Sequence, residues 1–237
     1  MGTIYLIRHG QGSFNQGDYD RLSPLGVRQA RLTGEHLAAA ADRLTAICHG
    51  ELERQRRTAR EAGEVLKAAG RPVPAPRTMA AFDENDAFAL WDACVPILQR
   101  QRRIDAAELA AAKSDNQVFQ RLLRQVMLLW MSGRHDQEIR LPTWRQFQER
   151  VTDAFGQLLR EQADDGQVAV FTSGGPIGVI IQYLLGLDNE KTLTLTFQIM
   201  NASITRVKFR GGRATLATFN ETAHLERPGD RQLLTYL

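Results

Sequence analysis

The stretch Tyr5-Leu6-Ile7-Arg8-His9-Gly10-Gln11 decides how the rest of this 237-residue chain is interpreted. A run of β-branched and large apolar residues, 3–7, ends abruptly in an arginine, a histidine and a glycine. The apolar run predicts a buried strand. Because open α/β sheets bind ligands at the carboxyl edge of their strands, we expect this strand to carry Arg8 and His9 into a binding site.

A loop and a capped helix follow this strand. Residues 8–22 are rich in glycine, and glycine lets backbone N–H groups approach an anion closely, so we predict a ligand-facing loop that includes Gly10 and Asn15. Ser23-Pro24 is typical of a helix N-cap and its first helical residue.

The next segments predict further strands of the same sheet. Residues 44–48 form a short apolar run that His49 closes, and a helix over about 52–69 has Arg54 in its first turn. Residues 72–78 predict an edge-like strand, because prolines are confined to edges.

A second strand-to-glycine junction lies late in the chain. Residues 168–172 predict a buried strand that runs into Ser173-Gly174-Gly175-Pro176 and then a helix to about residue 185. A glycine turn at a helix N-terminus favours an anion. Residues 205–209 and 214–219, joined by Gly211-Gly212, predict a closing hairpin.

These motifs, in this order, resemble the histidine phosphatase superfamily, the phosphoglycerate-mutase-like enzymes. The resemblance rests on Arg8-His9-Gly10, on Arg54 followed by Thr58-Ala59, on Glu84 after a short apolar stretch, and on the late strand with its two glycines. It implies an α/β fold: a three-layer α/β/α sandwich whose mostly parallel sheet has an antiparallel C-terminal edge strand. We predict one domain over 1–237, with a helical insertion at about 87–140 that helps to choose the substrate.

The resemblance also implies roles for single residues. His9 would be transiently phosphorylated, and Arg8, Arg54 and Asn15 would hold the phosphoryl oxygens, for which the fixed guanidinium fork is well suited. Glu84 would donate a proton to the leaving group, with Asp83 and Asp86 as local competitors for that role.

The sequence departs from the family pattern at one catalytic position. The family's second catalytic histidine normally follows the late strand, whereas this chain has Ser173 there, beside Gly174 in the predicted phosphate site. Whether Ser173 or His49 takes over from that imidazole stays open.

We therefore predict metal-independent phosphomonoester hydrolysis through phosphohistidine at His9, with slow turnover. The alternative is a weak or inactive relative that binds a phosphorylated ligand as a sensor. A mutase is the lesser expectation. An esterase with Ser173 as nucleophile does not fit, because the nucleophile elbow needs glycine where Phe171 stands.

Composition limits the other classes of function. The net charge of +3 and pI of about 9.1 come without a dense basic block, which argues against nucleic acid. Cys48 and Cys94 have no metal-ligand or redox spacing, so we expect reduced thiols in the cytoplasm, without a signal peptide or membrane span. We expect no cofactor and no metal ion, a small phosphorylated substrate as partner, and leave a homodimer open.

Overall fold

The computed structural model describes residues 1–13, 18–41 and 43–236. Within these residues, six strands form one mixed sheet and two short strands pair separately. The strands are β1 (Gly2–Arg8), β2 (Gly12–Ser13), β3 (Asp18–Leu22), β4 (Ala46–His49), β5 (Arg77–Thr78), β6 (Gln167–Thr172), β7 (Ile204–Arg210) and β8 (Arg213–Glu221).

The order of the strands across the large sheet is β5-β4-β6-β1-β7-β8. The pairs β5-β4, β4-β6 and β6-β1 are parallel, whereas β7 runs antiparallel to β1 and pairs with β8 in a hairpin. The predicted fold class is therefore confirmed, and the antiparallel part consists of the two strands of the predicted closing hairpin.

Helices connect the strands and cover both faces of this sheet. They are α1 (Pro24–Ala40), α2 (Glu53–Ala68), α3 (Ala87–Arg100), α4 (Ala106–Ala111), α5 (Asn116–Met131), α6 (Asp136–Ile139), α7 (Trp144–Glu161), α8 (Gly174–Leu185), α9 (Asn189–Thr196) and α10 (Ala223–Glu226). In the described part of the chain, no helix combines the length and the apolar character that crossing a membrane requires.

Alternation along β1 divides the core into two layers. Ile4 and Leu6 pack into the cluster that includes apolar residues of α7 and α8, and Tyr5 and Ile7 pack into the cluster that includes residues of α1 and α2. Successive side chains of a strand point to opposite faces, so this one strand contributes to both layers. The three-layer arrangement follows from this double burial.

Two predicted segments differ in extent from the observed ones. Only Arg77–Thr78 of the predicted strand 72–78 is extended, because prolines at 72, 74 and 76 interrupt it and Pro cannot donate to a ladder. Part of the predicted loop 8–22 pairs instead, as β2 and β3. The predicted helix caps are confirmed: the Ser23 side chain accepts from the N–H of Gly26.

Residues 87–140 are helical, as the sequence indicates, and contain α3 to α6. One face of α5 is apolar and largely buried, with Leu122 and Val126 fully inaccessible. Asp115 is the N-cap of α5, since its carboxylate accepts from the N–H groups of Gln117 and Val118. The single-domain organisation stays a prediction.

Candidate active site

Three parallel strands deliver polar residues to one edge of the sheet. His9 follows β1, His49 ends β4, and Ser173 follows β6, which lies between them. In the parallel registers, Arg8 is paired with Thr172 and His49 with Phe171. Because these strands run in the same direction, their carboxyl ends meet, which is the edge where we expected the ligand site.

A cavity of about 520 Å³ opens at this edge. Arg8, His9, Arg54, Glu84 and Gly174 all line it. The structure thus brings together all four predicted catalytic residues and one of the predicted phosphate-binding glycines, although they come from separate stretches of the chain.

The other two predicted phosphate ligands are Asn15 and Ser173. Asn15 lies outside the described residues. Ser173 is 1% exposed and is not among the described residues that line the cavity. Its hydroxyl oxygen instead accepts a hydrogen bond from Nε2 of Gln55 at 2.8 Å, and Gln55 is itself fully buried. Ser173 therefore lies behind the cavity wall, with its oxygen engaged by Gln55.

The hydrogen bonds of His9 fix its tautomer. Nδ1 lies 2.8 Å from the carbonyl oxygen of Gly10, which can only accept, so Nδ1 carries the proton. Nε2 accepts from Nε of Arg54 at 3.2 Å and therefore holds the lone pair. Burial, followed by the charges of Arg54 and Arg8, lowers the pKa of His9 well below its usual value. The imidazole is thus kept neutral, with the nitrogen that can attack phosphorus facing an arginine.

Arg54 is held by a residue that the sequence analysis missed. Oδ1 of Asp20 accepts from Nη1 of Arg54 at 2.8 Å, and Oδ2 accepts from the N–H of Glu53 at 2.9 Å. Leu52, the N-cap of α2, cannot cap with its own side chain, so Asp20 satisfies the helix end from the distant strand β3. Sequence spacing carries no signal for such a long-range pair, which is why Asp20 was not found.

The carboxylate of Glu84 is positioned by two backbone groups. Oε2 accepts from the N–H of Gly175 at 2.9 Å, and Oε1 accepts from the N–H of Asn85 at 3.1 Å. A Cβ on Gly175 would lie 2.1 Å from Oε1, so only glycine admits the carboxylate this close.

The two acidic neighbours of Glu84 have other partners. Asp83 does not belong to the described cavity lining, and its Oδ1 accepts from the N–H groups of Glu51 and Leu52. Burial raises the pKa of Asp83. Asp86 does line the cavity, but its Oδ1 caps α3 by accepting from the N–H groups of Phe88 and Ala89. Of the three carboxylates, Glu84 is the one held directly beside the turn that follows β6.

His49 repeats the local geometry of His9 at the neighbouring strand. Its Nδ1 lies 2.7 Å from the carbonyl oxygen of Gly50, and the side chain is buried. It is not among the described residues that line the cavity, where His9 is the one imidazole. Over the described residues, no group of three or more His, Cys, Asp or Glu side chains could hold a metal ion.

Comparison with known families decides the assignment. The family model for the histidine phosphatase superfamily (branch 1) matches residues 4–87 and 100–222. This chain belongs to the histidine phosphatase superfamily. The match includes every predicted site residue, from Arg8 to Gly174, and leaves out residues 88–99, most of α3.

Solved structures place this superfamily member among phosphoglycerate-mutase-like folds. A phosphoglycerate mutase from Bacillus anthracis is 21% identical with a TM-score of 0.66, covering 96% of each chain. A phosphoserine phosphatase mutant from Entamoeba histolytica is 20% identical with a TM-score of 0.61, covering 95% of this chain and all of that one. A mycobacterial glucosyl-3-phosphoglycerate phosphatase is 20% identical with a TM-score of 0.58, covering 92% and 98%. No curated protein sequence matches the chain.

Proposed function

We propose that this chain hydrolyses phosphomonoesters through a phosphohistidine at His9. The observation that carries the proposal is the lone pair on Nε2 of His9, which faces Nε of Arg54 at 3.2 Å inside the cavity. A neutral imidazole nitrogen is a competent nucleophile toward phosphorus, and the adjacent cations attract the phosphoryl group to it. Membership of the histidine phosphatase superfamily supports the same class of reaction.

In the first step, Nε2 of His9 attacks phosphorus and the bond from phosphorus to the ester oxygen breaks. The Nε–H of Arg54 stops donating to Nε2 of His9 and donates to a phosphoryl oxygen instead. Arg8, which also lines the cavity, compensates the charge on the other phosphoryl oxygens. Glu84, in its protonated form, donates its proton to the departing alkoxide oxygen.

In the second step, water attacks the phosphorus of phosphohistidine, and the N–P bond breaks. The carboxylate of Glu84 takes one proton of that water, so the acid of the first step becomes the base of the second. Inorganic phosphate leaves, and Nε2 recovers its lone pair. Transfer of the phosphoryl group to an alcohol instead of water would give a mutase, which uses the same groups and is the lesser proposal.

The position of Ser173 favours a second candidate, a phosphate-binding sensor with little or no turnover. Among the described residues, no second imidazole lines the cavity. The negative charge that develops on the phosphoryl oxygens is therefore stabilised by one preorganised cation fewer than in the family pattern. Losing one such donor costs on the order of 10²–10³ in rate. We therefore expect slow hydrolysis. The absence of any turnover would favour the phosphate-binding sensor.

The test is rapid-quench trapping with a ³²P-labelled aryl phosphate. We expect an acid-labile, base-stable phosphoenzyme in wild type and none in His9→Ala. His135→Gln, a change at the N-cap of α6 outside the cavity, is the matched control and should label normally. Undiminished labelling of His9→Ala rules out His9 as the nucleophile, and tight phosphate binding without any phosphoenzyme selects the sensor.

A further inference from the structure

The cavity has two chemically different halves. Its floor holds Arg8, His9, Arg54 and Glu84, and its wall is formed largely by apolar side chains from α3, α5, α9 and the C-terminal segment. The apolar wall residues are Phe88, Leu123, Met127, Leu193, Phe197 and Tyr236.

We propose that this wall binds the leaving group, and that the preferred substrates are phosphomonoesters of bulky, uncharged, apolar alcohols. The inference rests on the proposed phosphoryl site at His9 and adds the substrate class of that site. An alkyl or aryl group projecting from the phosphoryl group on the floor would leave water and contact the wall, which is favourable in proportion to the apolar area buried.

The distribution of charge argues against a second anionic group on the substrate. Among the described residues that line the cavity, the cations are Arg8 and Arg54, and both lie at the floor beside His9. Away from the floor, the one acidic or basic side chain in this described lining is Asp86, at the start of α3. The residues outside the description, 14–17, 42 and 237, contain no Lys, Arg or His. A substrate carboxylate would therefore be buried without a cation, which is costly.

Two of the six wall residues, Phe88 and Tyr236, lie outside the segments that the family model matches. Phe88 lies in the stretch 88–99 that the family match leaves out. It is 57% exposed, and Tyr236, on the C-terminal segment, is 46% exposed. Large apolar side chains that are this exposed beside a cavity are typical of ligand sites. Leu193, in the same lining, is buried.

Binding of alkylphosphonates, measured by calorimetry, tests the wall without requiring turnover. Methyl-, butyl-, hexyl- and octylphosphonate share one charged head and differ in apolar length. We expect the Kd to fall about two- to fourfold per methylene, because a fully buried methylene contributes about fourfold. Hydrolysis of the matching alkyl phosphates should show the same trend in kcat/KM, since their leaving groups have similar basicity.

Substitutions in the wall should weaken the dependence of the alkylphosphonate Kd on chain length. Phe88→Ser and Leu123→Gln should each weaken octylphosphonate binding about three- to tenfold and leave methylphosphonate binding unchanged. The matched controls are Tyr183→Ser and Leu185→Gln, which alter exposed apolar residues outside the described cavity lining and should change neither. Thermal melts verify that each variant is folded.

A cation introduced into the wall should shift the substrate preference from apolar alcohols toward substrates that carry a carboxylate. Phe88→Arg is expected to raise kcat/KM for phosphoserine about tenfold relative to butyl phosphate, because it supplies a partner for the substrate carboxylate. A Kd that is independent of chain length, or wild-type turnover of phosphoserine equal to that of octyl phosphate, overturns the apolar wall. If chain-length dependence is found without any phosphoenzyme, the wall stands and the proposed hydrolysis fails.

Discussion

The N–H of Gly175 donates to Oε2 of Glu84 over 2.9 Å, while the space beside Gly175 is filled by the other oxygen of the same carboxylate. The first turn of α8 therefore fixes the proposed acid, even though the two residues are 91 positions apart. Gly175 thus positions the Glu84 carboxylate, whereas the neighbouring Gly174 is a proposed phosphate ligand.

Gly175→Ala should displace Glu84, since the new Cβ would lie 2.1 Å from Oε1. We expect turnover of alkyl phosphates to fall about 10²-fold, because their poor leaving groups depend on general acid catalysis, whereas nitrophenyl phosphate should lose much less. Gly63→Ala, whose Cβ meets nothing closer than 3.8 Å, is the control for adding a methyl group. Equal losses on both substrates would contradict the role of Glu84 as acid.

The pair formed by Gln55 and Ser173 suggests how the missing imidazole could be restored. Ser173→His alone has to displace the buried Gln55 side chain, and overpacking of this kind costs about 1–3 kcal/mol. We expect Gln55→Ala combined with Ser173→His to relieve the clash and to raise single-turnover phosphoenzyme formation about tenfold. Identical rates in the double variant and in Gln55→Ala alone would mean that position 173 does not reach the phosphoryl group.

Arg54 should contribute a charged hydrogen bond to any phosphate analogue. Charged hydrogen bonds are worth about 1.5–3 kcal/mol, so Arg54→Ala is expected to raise the Kd of vanadate about 10- to 100-fold. Arg57→Ala, on the same helix but outside the described cavity lining and paired with Glu61, should bind vanadate as wild type does. Equal affinities in both variants would place the anion site elsewhere.

Chemistry carried by two arginines and an imidazole should not depend on a divalent ion. We expect phosphoenzyme formation and turnover to survive dialysis against millimolar EDTA. Loss of turnover that Mg²⁺ or Mn²⁺ restores would show that a metal, rather than Arg8 and Arg54, compensates the charge of the phosphoryl group.

Acid stability should depend on His224. Burial, followed by the charge of the nearby His36, lowers the pKa of His224 from 6.5 to about 4, although the carbonyl oxygen of Ala202, 3.0 Å from Nε2, acts in the opposite direction. The unfolded chain therefore takes up this proton first as pH falls, so the stability contributed by neutral His224 is present above pH 6.5 and is lost toward pH 4.

Urea unfolding at pH 7.5 and pH 5 measures this loss. His224 should account for about 2 kcal/mol of the decrease between the two pH values. His224→Gln keeps a donor for the carbonyl oxygen but does not titrate. Between pH 7.5 and pH 5, its free energy of unfolding should therefore decrease by about 2 kcal/mol less than that of wild type. An unchanged pH dependence in His224→Gln would assign the acid sensitivity to another group.

The features that could be predicted from the sequence are those that depend on local residue patterns and on the order of motifs. Apolar runs located β1, β4 and β6, and the motifs named His9, Arg8, Arg54 and Glu84, which share one cavity. What escaped prediction depends on contacts between distant segments. Asp20 holds Arg54 from β3, which no spacing rule connects to α2. The packing of Gln55 on Ser173 depends on side-chain directions that a strand-turn motif does not specify.

The central position of β1 has a consequence for synthesis of the chain. Its neighbours in the sheet, β6 and β7, end at Thr172 and Arg210, so the strand that precedes His9 emerges from the ribosome long before either partner exists. At synthesis rates of about 5–20 residues per second, the wait for β6 is on the order of ten seconds. During that interval, the unpaired backbone groups of the apolar run 3–7 are open to chaperones or to neighbouring nascent chains. The proposed site around His9 forms only after β6 and β7 have been synthesised.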